Sequence, residues 1–93
     1  MLCLRKSSFH SDEEIELEVS GESFKVVHVG TQDGKSTIWY ETVEPSPIKR
    51  SVHFRRVRSG DNVPPQGRHV GVSRIDHENW GGEVFYHIYQ IYK

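Results

Sequence analysis

Residues 48–58, IKRSVHFRRVR, carry five cations in eleven positions with no acid among them. Lys49, Arg50, Arg55, Arg56 and Arg58 form this run, His53 lies inside it, and Arg68 adds a further guanidinium downstream. Guanidinium forks hold phosphate oxygens in pairs, and aromatic rings stack on bases. Trp80 and the tyrosines of the last segment supply such rings. Together these residues suit an anionic ligand of nucleotide type. The ordinary alternative is a charged sheet edge protected against pairing, with Trp80 and the tyrosines as packing and His87 as a satisfied core histidine.

Other chemistry fits less well. Gly30-Thr-Gln-Asp-Gly-Lys-Ser36 has three residues between its glycines where a phosphate-binding loop needs four, and no helix pattern follows it. The six histidines, His10, His28, His53, His69, His77 and His87, lack the close spacing of zinc motifs, and Cys3 is the single cysteine. Asp76-His77-Glu78 places three ligand types side by side, but neighbours on a strand point apart. No Gly-x-Ser-x-Gly elbow or locally paired nucleophile and base is present. We therefore expect a binding protein with no catalysis, metal or cofactor.

The elements that must position these residues are strands. Ile15, Leu17 and Val19 alternate with Glu14, Glu16 and Glu18, a period of two. The first strand is expected around Leu2 and Leu4, with a capping pattern at Ser11-Asp-Glu-Glu14. A third strand spans residues 24–29. Asp33-Gly34 is the dipeptide of a tight hairpin, returning through residues 36–43 to the stop at Glu44-Pro-Ser-Pro47. In the basic segment Val52 and Phe54 share a face with Arg56, and Val57 falls opposite. A bulge at Arg55-Arg56 would return Val57 to the core and leave both guanidiniums outside. Val70 and Val72 should face inward from a sixth strand over residues 68–75. Residues 83–92 are apolar on both faces, which implies a central strand or, at a chain-end edge, a dimer interface. The fold expected is all-β, one domain over residues 1–93, with six or seven antiparallel strands in a small sandwich or partly open barrel.

Ninety-three residues are few for a core without staples, so we expect a homodimer or higher oligomer. No apolar run reaches a membrane span, and the lone cysteine suits a reducing cytoplasm. The net charge of -1 conceals an acidic block of Asp12, Glu13, Glu14, Glu16, Glu18 and Glu22 ahead of the basic one.

The run Phe54-Arg-Arg-Val-Arg-Ser-Gly-Asp-Asn-Val-Pro64, then Val70-Gly-Val72 and Val84-Phe-Tyr-His-Ile-Tyr89, resembles an uncharacterised family of small phage-encoded β domains. Trp39 ahead of Val43-Glu-Pro45 is similar to that family's Trp strand and acidic-Pro turn. Ser59-Gly60-Asp61 stands where the family has Thr-Gly-His. The resemblance implies a phage accessory protein acting in the cytoplasm of a bacterial host. Two functions are then expected as alternatives: sequestration of an anionic nucleotide-type immune signal, or inhibition of a host defence complex through protein contact. The first would use Lys49, Arg50, His53, Arg55, Arg56, Arg58, Arg68 and Trp80. The second would use the basic strand to mimic or occlude a partner, and the acidic block at residues 12–22 favours it, since a row of carboxylates can imitate nucleic-acid phosphates.

Overall fold

The period-two segments become seven strands in the computed structural model, which describes residues 1–10, 13–77 and 81–92. They are β1 (Leu2–Ser8), β2 (Glu14–Ser20), β3 (Phe24–Gln32), β4 (Lys35–Val43), β5 (Lys49–Arg58), β6 (Gly67–His77) and β7 (Gly82–Ile91). One sheet has the order β1-β4-β3 and the other β2-β5-β7-β6. Every pairing is antiparallel. The result is an all-β two-sheet fold and not a closed barrel. The cap pattern at Ser11 and the ring of Trp80 fall outside the described residues.

The inward faces of the two sheets make the core. Ile38 and Tyr40 from β4 meet Val19, Val52, Phe54 and Ile88 from the other sheet, and Phe9 closes one end. Burying each such side chain is worth about 1.5–3 kcal/mol. Polar ties cross the layers too: the buried Ser36 and Ser73 hydroxyls share a hydrogen bond of 2.7 Å, the Thr31 hydroxyl donates to the Arg74 carbonyl at 2.6 Å, and the Ser20 backbone N–H donates to Thr42 Oγ1 at 3.2 Å. Asp33 and Gly34 have φ of 52° and 73°, the positive pair that a two-residue hairpin requires.

Three expectations are corrected. Strand β5 has no bulge; its register runs unbroken against β2 and β7. Val57 therefore stays on the outer face, opposite His87 in register, and is 5% exposed beside residues 58–61 and Val63. Local loop cover, not the core, buries it. The bulges lie instead between Val26 and His28 in β3, and between His69 and Gly71 in β6. The second reverses the phase of β6. Gly71 faces Val29 of the opposite sheet, and Val72 turns outward with 43% exposure.

The third correction concerns β7, which lies between β5 and β6 and is not at an edge. It hairpins with β6, while β5 supplies its other neighbour. The unpaired edge that favoured a β7 dimer is therefore absent. Strand β5 is interior too, held between β2 and β7, so its cations guard no edge.

Candidate ligand-binding cleft

The two-residue period of β5 divides the basic run between opposite faces. Arg50, Val52, Phe54 and Arg56 belong to the inward-facing set, with Arg50 and Arg56 at its two ends. Lys49, His53 and Arg55 belong to the outward set. Arg55 pairs with Glu14 at 3.2 Å across the β2–β5 ladder. Arg58 is anchored locally: its backbone N–H donates to the Asp61 carboxylate at 3.1 Å, and its guanidinium lies 3.9 Å from the same group. Arg56 lays its guanidinium over the Tyr86 ring, 4.5 Å from the centroid, and its Nε is buried without a hydrogen-bond partner. The hollow around these three arginines also holds Glu13, Glu14 and Asp61, so the charges there balance. The expected single cationic patch on β5 is not formed.

A different cation group forms at the other end of the inward face. Phe24, Lys25 and Val26 of β3, Arg68, His69 and Val70 of β6, and Gln90 of β7 line a cleft of about 270 Å³. Arg50 sits beside it with its guanidinium 5.8 Å from the Phe24 ring centroid. Phe24 is itself fixed by Tyr40 and Phe54, at centroid distances of 5.4 and 6.2 Å. Among the described residues, Lys25, Arg50 and Arg68 form no ion pair, whereas Arg5, Arg55, Arg58 and Arg74 all do. Lys25 follows Phe24 directly on β3 and therefore turns to the outer face, across from Glu41 in the β3–β4 register. Exposed cations left without carboxylates beside an aromatic ring can bind an anion.

Of the residues expected to bind, the structure brings Arg50 and Arg68 to this cleft. Lys49 is exposed at the start of β5, and His53 lies on the outer face of its sheet, opposite Glu16. Arg55, Arg56 and Arg58 are at the far end. Phe24, Lys25 and Gln90 were missed because they lie far from the basic run in sequence. The sole signal was Lys25 following an aromatic at the head of a strand, a weak one.

His69 lines the cleft and also bonds His87, with Nε2 and Nδ1 3.0 Å apart and Tyr89 edge-on to the His69 ring. His87 is thus satisfied as expected, but on the outer face and half-buried, not in the core. Among the described residues, no three histidine, cysteine or carboxylate side chains converge as metal ligands would.

Residues 4–93 match a family described as a domain of unknown function, DUF7352. The chain belongs to the DUF7352 family. No curated protein and no solved structure matches it. The DUF7352 match covers both sheets, so every residue of the cleft lies within the family's domain. Among the described residues no helix is long and apolar enough to cross a membrane.

Proposed function

We propose that this DUF7352 chain is a non-enzymatic binding protein that sequesters an anionic, nucleotide-type ligand in the Phe24–Arg68 cleft. The observation that carries the reading is a pair of arginines without carboxylate partners, Arg50 and Arg68, beside the Phe24 ring at the cleft. Small-molecule sites usually enclose roughly 300–1,000 Å³, so a cleft of about 270 Å³, just under that range, would take part of a nucleotide-type ligand. The remainder would lie in solvent. The resemblance to small phage-encoded domains gives this binding a purpose: withdrawal of an immune signal in the cytoplasm of a bacterial host, as a counter-defence.

The test has two arms. Protein purified from defence-active bacteria is denatured and the released small molecules are identified by mass spectrometry. Purified protein is also titrated calorimetrically with mononucleotides and cyclic dinucleotides. Release of an intact nucleotide-type anion, with binding lost in Arg68→Glu, supports the reading. Failure of both arms overturns it, as does a product that grows with time and protein concentration.

One observation favours a second reading. Glu14, Glu16 and Glu18 stand exposed on one face of β2, an edge strand. Their side chains repeat about every 6.6 Å along the strand, a row that can occupy a nucleic-acid site on a host defence protein. Capture of such a protein that survives Arg68→Glu and is lost in Glu16→Lys would favour this inhibitor.

A further inference from the structure

Among the described residues the two open sheets leave four edge strands, β1 and β3 in one and β2 and β6 in the other. A free edge presents unpaired backbone groups to any extended chain, and proteins blunt such edges with bulges, charges or prolines. Three of these edges are blunted. Strands β3 and β6 are each broken by a bulge. Strand β2 carries the exposed Glu14, Glu16 and Glu18, which a second β2 would meet as like charges.

Strand β1 has no such device. Its pairing with β4 is unbroken from Leu2↔Val43 to Ser8↔Thr37, and it contains neither proline nor glycine. Leu2 and Leu4 lie on one face, 58% and 63% exposed. Its two cations are drawn back over their own sheet. Lys6 Nζ donates to Gln32 Oε1 of β3 at 2.8 Å, and the Arg5 guanidinium forks onto the Glu44 carboxylate just beyond β4. Both partners lie on the β4 side, so neither cation screens the free edge.

We infer that the free edge of β1 is a self-association surface, on which the β1 of a second copy of this chain pairs antiparallel about a two-fold axis. Faces must match across the new pair, which restricts the register. With the axis at Leu4, each Leu4 meets its symmetry mate, Leu2 lies against the aliphatic stem of Lys6, and Cys3 lies against Arg5. An axis at Arg5 would oppose two guanidiniums. The Leu4 register therefore opposes no like charges and covers the exposed leucines. The inference is independent of the ligand cleft, which is built from β3, β6 and β7.

Light scattering on a dilution series tests it. The wild type is expected at twice the protomer mass of 10.8 kDa at high micromolar concentration. Leu4→Glu and Leu4→Lys should each run as folded monomers, because Leu4 is exposed in the protomer, with a thermal midpoint that matches the wild type at dilutions where the wild type is itself monomeric. Mixing the two variants should restore the doubled mass through opposite charges at the axis. A wild-type monomer throughout the series overturns the inference. So does a dimer that persists in both variants, or one that dissociates in Tyr89→Asp but not in Leu4→Glu.

Discussion

Arg56 and Arg68 look alike in the sequence and have opposite roles in the structure. Arg68 lines the cleft with no carboxylate partner, so reversing its charge should cost binding and not folding. A charge-assisted hydrogen bond is worth about 1.5–3 kcal/mol, so Arg68→Glu should weaken binding of the retained nucleotide by at least about tenfold. Arg55→Ala, remote and already paired with Glu14, should leave the calorimetric affinity unchanged. Arg56 is different because its Nε is buried without a partner. Arg56→Met keeps a long side chain against Tyr86 and removes the orphan donor, so the thermal midpoint should hold or rise. Arg56→Glu buries a carboxylate there and should destabilise by more than about 1 kcal/mol. A melt unchanged by Arg56→Glu would return this residue to the surface role expected from sequence.

Glu44 gives the residue scale a pH dependence. Its carboxyl is held below the ordinary carboxylate value chiefly by the hydrogen bond from Arg5; burial opposes this, and attraction to Arg5 and Lys49 assists. A carboxyl depressed in the folded state stabilises above its unfolded pKa, and that stability is lost as pH falls through the folded value. The gap in thermal midpoint between wild type and Glu44→Gln should therefore be present near neutrality and close in acid. It should be small and shrink with added salt, since the pair is exposed. A gap that persists in acid would mean the pair is not its source.

At the scale of elements, the contact between β3 and β6 depends on one missing side chain. A Cβ on Gly71 would stand 2.5 Å from Val29 Cβ and 2.8 Å from its Cγ2. Neither atom is the tip of a flexible chain, so the sheets would have to part. Gly71→Ala should cost about 1–3 kcal/mol, the usual range for overpacking. Adding Val29→Ala should recover part of that loss, measured by chemical denaturation as a double-mutant cycle. Purely additive losses would show that the two residues do not share the space. The bulge between His69 and Gly71 makes this contact possible by turning Gly71 toward Val29 and Val72 away from it.

For the whole molecule, the order of strands sets the folding problem. The β3–β4 and β6–β7 hairpins are local, whereas β1–β4, β2–β5 and β5–β7 join segments distant in the chain. Each distant pairing must close a loop before its contacts form, which slows folding of all-β domains to about milliseconds to seconds. Stopped-flow refolding should show its main phase in that range, and folding in microseconds would contradict the topology. The same arrangement joins Arg50, Arg68 and Phe24 from three different strands. Mutations that separate the sheets should therefore weaken ligand binding along with stability.

The sequence alone determined what depends on neighbours along the chain. Alternation in residues 14–19 gave a half-exposed strand, Asp33-Gly34 gave a tight hairpin, and the absence of any helical period gave an all-β fold. These follow from the two-residue repeat and from positive φ, both local properties. Tertiary structure decided the phase of the basic strand, the places of the bulges, the interior position of β7 and the cleft itself. A single-residue shift of register exchanges the faces of a strand, and nothing within residues 48–58 states whether such a shift occurs; in β5 none does. The cleft was hidden for a related reason. Its arginines and its aromatic ring come from three strands, and whether each arginine keeps a carboxylate partner depends on which strands lie side by side.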